Sequence, residues 1–206
     1  EKGDMHLLVK KVFAATGAMP KLVELRPRKF GEAGPPPAHR LNLIGDRSIS
    51  WQSHAQLIVD TAVSQGHKTS QAHFKMQAID RMAEAMETIH LAGLVVTLPA
   101  IHEFIKFPEL FEQTLGKMMD REFSDAALKE RAQNLYDGWR QYLGKAPEEL
   151  SGIRGTIENY TNAYLEPEIA EVFSSTEPTV GIDALDQGKV LLVSIPQQFT
   201  RARRYI

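Results

Sequence analysis

The run at residues 190–195, VLLVSI, constrains this chain more than any other feature. Residues 186–188 supply a turn before it, and an apolar run of this length after a turn is the pattern of a strand buried on both faces in a parallel sheet. A strand is not stable alone, because its backbone N–H and C=O groups need neighbours. From about Ser50 to Ser174 the chain reads as almost continuous helix, so the neighbour has to come from before that stretch. Residues 21–25, within PKLVELRP, are the expected companion: Leu22, Val23 and Leu25 are apolar and Pro27 ends the segment. The pattern predicts a mostly α chain, a helical bundle inserted between strands of one α/β sheet.

The helices are read from apolar residues recurring at helical spacing. Residues 5–16 place Leu8, Val12 and Ala15 on one face with Lys10 and Lys11 off it, and Gly17 ends them. Residues 26–40, RPRKFGEAGPPPAHR, have the Pro and Gly density of a loop. At Ser48 or Ser50 the bundle begins, with Trp51, Ala55, Ile58 and Ala62 in a stripe widened by Leu57, Val59 and Val63 until Gly66. Ser70 is expected to cap the next helix, which carries Phe74, Ile79, Met82, Met86 and Ile89 before Gly93. Thr97 and Pro99 begin LPAIHEFI, which Pro108 breaks. Ser124 is expected to cap a segment with Leu128, Ala132, Leu135, Trp139 and Tyr142. Pro147 opens another with Leu150, Ile153, Ile157, Tyr160 and Tyr164, and a short helix through Ile169, Val172 and Phe173 follows.

Three regions result: a partial α/β segment at residues 1–47, the helical insertion at 48–178, and the return strand with the start of a helix at 179–206. The chain opens directly in EKGDMHLLVK and stops in RARRYI, so it is expected to be a piece of a larger protein.

A chain of 206 residues with 43% hydrophobic content can bury one substantial core or two small ones. Its net charge of -2 exerts no global pull on nucleic acid or lipid, so any such contact needs a local patch. No apolar run approaches the roughly 20 residues of a membrane span. Without Cys there is no disulfide, no thiolate nucleophile and no Cys-ligated zinc.

The motifs that carry chemistry are not met. A Walker loop needs a Gly-rich turn with Lys and Ser or Thr around the phosphates, and nothing from Glu1 to Ile206 has that form. IHEFIK places Lys106 where a zinc-binding HExxH needs its second His, and His67 and His73 do not share a helical face. There is no GxSxG elbow. Glu148 and Glu149 fall in the first turn of a predicted helix, where carboxylates favour the macrodipole. SGIRGT, residues 151–156, has the GxxG form of a nucleotide-clamping loop but lies inside a helical run, where close helix packing is the expectation. No catalytic residue, metal ligand or cofactor site is assigned.

Two basic clusters remain. Arg26, Arg28, Lys29 and Arg40 surround the 26–40 loop and are the candidate nucleic-acid contacts, since cations gathered on one loop are what a phosphate backbone requires. Arg201, Arg203 and Arg204 are expected to line one face of a helix.

The order of elements resembles the conjugative coupling proteins of type IV secretion systems, the TraD/TraG type of hexameric P-loop DNA translocase. EKGD at residues 1–4 is similar to the segment that ends the strand after the Walker A helix. LNLIGD at 41–46 resembles the family's NPL segment, with Leu43 in place of Pro. VTLPAIHEFI resembles a helix start in the middle of the inserted domain, and GIDALDQGKVLLVSIP the strand that returns from it. The resemblance covers nearly the whole chain and reaches Lys2, Gly3, Asp4 and Asn42 as motif positions. It implies a RecA-like NTPase core carrying an inserted all-helical domain, in a protein that uses ATP and Mg and works as a homo-hexamer. It also implies DNA and relaxase or effector proteins as partners, and a cytoplasmic domain of a protein anchored in the bacterial inner membrane. Walker A and Walker B would lie outside this chain, which would not hydrolyse ATP by itself. A stand-alone helical protein-interaction domain, or the insertion of another hexameric translocase, are the alternative readings.

Overall fold

The computed structural model describes residues 5–64 and 72–206. Nine α-helices, three single-turn 3₁₀ helices and two strands follow one another among them. The order is α1 (Met5–Ala15), β1 (Leu22–Leu25), α2 (Trp51–Ser64), α3 (Ala72–Leu91), α4 (Leu98–Lys106) and α5 (Pro108–Met119). After these come α6 (Ala126–Leu143), α7 (Pro147–Thr161), α8 (Pro167–Phe173), β2 (Val190–Val193) and α9 (Ala202–Tyr205). The chain is mostly helical and divides into two compact units, one from Glu1–Asp46, Glu166–Arg204 and Ile206, the other spanning Arg47–Leu165.

In the first unit β1 and β2 pair in parallel, with Leu22 opposite Val190 and Leu25 opposite Val193. The Ser194 N–H continues the ladder to the Leu25 carbonyl at 3.0 Å. Parallel neighbours require a crossover, and here the crossover contains the whole second unit. The two strands of the pair differ. Val23 and Leu25 of β1 are buried, whereas Val190 and Val193 of β2 are exposed. The expectation of a return strand buried on both faces is therefore corrected: among the described residues β2 has a neighbour on one edge and partial cover on its faces.

The core of this unit gathers Val23 and Leu25 with Leu41, Ile169, Val172, Phe173, Val180, Phe199 and Ala202. Burying side chains of this kind is worth about 1.5–3 kcal/mol each. The cluster also moves a boundary. Residues 166–178, expected in the helical insertion, pack with the strands, because Ile169, Val172 and Phe173 of α8 point into their core. A short antiparallel contact ties the outgoing and returning chain together. Leu41 N–H donates to the Val172 carbonyl at 2.7 Å, Leu43 N–H to that of Phe173 at 3.0 Å, and Ser175 N–H to that of Leu41 at 3.0 Å. Asn42 and Ser174 form the bridge at its centre. In α1, ended by Gly17 at φ +68°, no residue is buried, so the expected apolar face with Leu8 and Val12 is open among the described residues.

The second unit is organised about α3, which packs against α2, α4, α5, α6 and α7. Its sequence explains the central place. Ala78, Ala83 and Ala85 let neighbours approach closely while Ile79, Met82, Met86 and Ile89 fill the space between them, and all are buried. Trp139 of α6 meets Phe104, Phe111 and Tyr142 edge-on, with ring centroids 5.1–5.6 Å apart, and its indole N–H donates to Thr88 Oγ1 at 2.9 Å. Ser50 caps α2 by accepting from Ser53 N–H at 3.0 Å, and Thr97 caps α4 by accepting from Ala100 N–H at 3.2 Å. The SGIRGT stretch is helical, and Gly152 allows the approach expected of it: a Cβ there would lie 2.8 Å from the Phe74 ring of α3.

Other details differ from expectation. The cap of α6 is Asp125, which accepts from Ala127 N–H at 2.8 Å, and not Ser124. Leu57, Val63 and Leu128, expected on the apolar stripes of their helices, are exposed, because the buried stripes are narrower than the apolar pattern. The segments at EKGD, Gly66, His67 and Ser70 lie outside the described residues. Among those described, no helix is long and apolar enough to cross a membrane.

Candidate nucleic-acid interface

The four loop cations part company in the structure. Arg28 is committed to Glu171 of α8: its Nη2 donates to Oε1 and Oε2 at 3.0 and 2.9 Å, and its Nε to Oε2 at 3.2 Å. Its Nη1 donates to the Gly34 carbonyl at 3.3 Å. A planar fork bound on both prongs is a clasp, with little left for a phosphate. Arg40 is also structural in its backbone. Its N–H donates to Thr179 Oγ1 at 2.8 Å, and its carbonyl accepts from Thr179 and Val180 at 2.9 and 3.2 Å.

Arg26 and Lys29 are placed otherwise. Arg26 follows β1 directly and, among the described residues, its side chain makes one long contact, 3.5 Å, with Glu32 Oε1. Lys29 is exposed, and its backbone N–H donates to Glu32 Oε2 at 2.7 Å, which with Arg26 holds that carboxyl below its usual range. Both side chains line an open cleft of about 950 Å³ at the carboxyl ends of β1 and β2. The floor is the 192–198 segment, His6 of α1 approaches from one side, and Arg203 of α9 from another. Two clusters separate in sequence are thereby joined on one surface. No Asp or Glu side chain is in the lining among the described residues, although Glu32 stands against Arg26 and Lys29 beside it. Parallel α/β sheets receive their ligands at this end, where the connections leave a crevice.

His6, Arg203 and the neighbouring Phe30 were not among the expected contacts. Arg203 carried a signal as part of the terminal basic cluster; His6 carried none, because only the fold brings α1 to the strand ends. The side chain of Arg204 lies outside those described, and Arg201 is not in the lining, its charge acting instead on Glu166. Glu166 itself is pushed above the ordinary carboxylate range by burial and then by Glu168.

In the second unit several ionic groups pair with one another: Arg131 with Glu87 at 2.6 Å and Arg140 with Glu112 at 2.8 Å. A smaller apolar groove of about 400 Å³ lies at the junction of α5 and α6, with Met118, Met119, Phe123 and Ala132 in its walls. Among the described residues no three His, Cys, Asp or Glu side chains converge as a metal site. No family model, curated protein or solved structure matches the chain.

Proposed function

We propose that this chain is the substrate-recognition part of an ATP-driven coupling protein that moves DNA in conjugation or type IV secretion. The observation that supports the reading most is the parallel pairing of β1 with β2 across the whole helical unit. That topology is what a motor sheet interrupted by an all-helical domain requires. On this reading the first unit is a segment of a RecA-like core whose ATP and Mg are held elsewhere in a homo-hexameric parent at the inner membrane. The second unit meets relaxase or effector proteins on its cytoplasmic side, and the basic cleft meets DNA.

The test presents the immobilised chain with a relaxase alone and with its single-stranded DNA complex. Retention of the relaxase after nuclease treatment is expected, and retention of neither protein nor DNA at low salt overturns the reading. The surrounding reading frame gives an independent check: a Gly-rich loop with Lys and Ser or Thr upstream is required. The apolar groove between α5 and α6 favours one other reading, a self-contained helical interaction domain, which a bound protein partner without such a loop would establish.

A further inference from the structure

We propose that the first unit binds single-stranded nucleic acid along the cleft at the carboxyl ends of β1 and β2, with Arg26, Lys29 and Arg203 on the phosphates and Phe30 as a platform for a base.

Two independent observations carry this. The first is the cleft, in which three cations and His6 surround an open floor whose lining has no Asp or Glu side chain among the described residues. An open basic groove follows a phosphate backbone, whereas a single nucleotide needs the closed cradle of backbone N–H groups that no segment of this sequence provides. The second is Phe30, which is 57% exposed although its ring stands edge-on against Phe199, itself 0% exposed, at 4.9 Å between centroids. A large apolar ring held on a buried partner and left open to water has no use in the core. Its place makes the connection: Phe30 follows Lys29, and Phe199 follows Gln198, and both of those residues line the cleft. Cations along a groove with an exposed aromatic at its rim are the two components of single-strand binding, since every base offers a face to stack. In a duplex the faces are already stacked on one another, so Phe30 selects for single strands.

The inference rests on the translocase reading for the source of its polymer and on the cleft alone for its location. The probe is a labelled thymidine homopolymer and a duplex of equal length, titrated by fluorescence anisotropy against the whole chain over a salt series. Tighter binding of the single strand is expected. Replacing Arg26, Lys29 and Arg203 together with Ala should flatten the slope of log K against log salt by about 2, at roughly 0.7 per lost phosphate contact. Phe30→Ala should weaken single-strand binding about tenfold with the slope unchanged, and Phe30→Trp should restore it. Phe30→Leu keeps the apolar contact with Phe199 and separates stacking from folding, so it should bind like the Ala variant while melting like the parent chain.

Equal binding of duplex and single strand overturns the proposal, as does binding that none of these variants changes; the latter places the DNA contact elsewhere and leaves the translocase reading standing. Absence of oligonucleotide binding with relaxase still retained overturns the proposal alone. Absence of both overturns the two together. ATP binding at these residues without oligonucleotide binding also overturns it.

Discussion

Arg28 and Glu171 form a two-pronged ion pair, with Nη2 2.9 Å from Oε2 and 3.0 Å from Oε1, that fastens the loop after β1 to α8. The partners are 143 residues apart in sequence, and their side chains are 33% and 23% exposed. The clasp closes the first unit around residues taken from both ends of the chain.

Its contribution is measurable. Arg28→Ala should lower stability by about 1 kcal/mol in urea unfolding, and Arg28→Lys should recover little, because an ammonium cannot fill both prongs. A double-mutant cycle with Glu171→Ala should show the coupling. The salt dependence of oligonucleotide binding should be unaltered, which separates Arg28 from the cleft cations.

Two glycines in α7 are expected to respond with opposite sign. A Cβ at Gly152 would lie 2.8 Å from Phe74, while at Gly155 there is nothing within 4 Å. Gly155→Ala should therefore stabilise by up to about 1 kcal/mol through helix propensity. Gly152→Ala should destabilise despite the same propensity gain, and Phe74→Leu should relieve it. Thermal midpoints of the four proteins check both signs.

Trp139 joins the aromatic cluster to α3. Trp139→Ala should cost about 3–5 kcal/mol as a core truncation. Trp139→Phe, which keeps much of the packing and loses the bond to Thr88, should cost about 1–2 kcal/mol. An unchanged midpoint for the Ala variant would place the indole outside the core.

The pH dependence of stability should carry the mark of His102. It is buried, with Nδ1 3.1 Å from Thr161 Oγ1, and its pKa lies below the ordinary 6.5, through burial first and Lys106 second, with Glu158 and Glu103 opposing. The unfolded chain then takes up protons before the folded one. The stability associated with neutral His102 is complete above about pH 6.5 and lost as pH falls towards the folded pKa. His90 acts in the same direction, through burial and then Arg47 and Arg121. Glu84 acts oppositely in a lower window: burial raises it above 4.5, so its share is lost as pH rises through the folded value. Denaturation between pH 5 and 7.5 should show the His102→Gln chain losing less stability on acidification than the parent. Parallel profiles would count against His102 as a source.

The strand pairing can be locked. The sequence has no Cys, so Glu24→Cys with Leu192→Cys gives a single pair at opposed positions of the register. Oxidation should form the crosslink, seen as a mobility shift reversed by reductant, while Glu24→Cys with Val190→Cys should crosslink far less.

What could be read in advance was what repeats or cannot stand alone. The pairing of residues 22–25 with 190–193 followed from the need of VLLV for a neighbour, and the stripes Met82–Met86–Ile89 and Leu135–Trp139–Tyr142 from helical spacing. Helix α5 is not expected from the sequence pattern because Pro108 reads as the end of one helix, whereas Pro is equally suited to the first turn of the next. Phe111, Leu115 and Met118, all buried, were the signal available. The division of the loop cations was not legible at all. Whether Arg28 or Lys29 stays free depends on Glu171, and no local pattern connects a loop to a carboxylate so distant in the chain.

The antiparallel contact centred on Asn42 and Ser174 has a bearing on how such a chain can change over generations. It brings the outgoing and incoming backbones to about 5 Å, the spacing of paired strands, and does so with hydrogen bonds and apolar side chains that belong to the first unit. A compact insert exchanged between Asp46 and Glu166 would leave Leu41, Val172 and Phe173, and the bonds between them, in place. The chain is thus built like a socket, in which the helical part can vary while the strand-bearing part keeps its form.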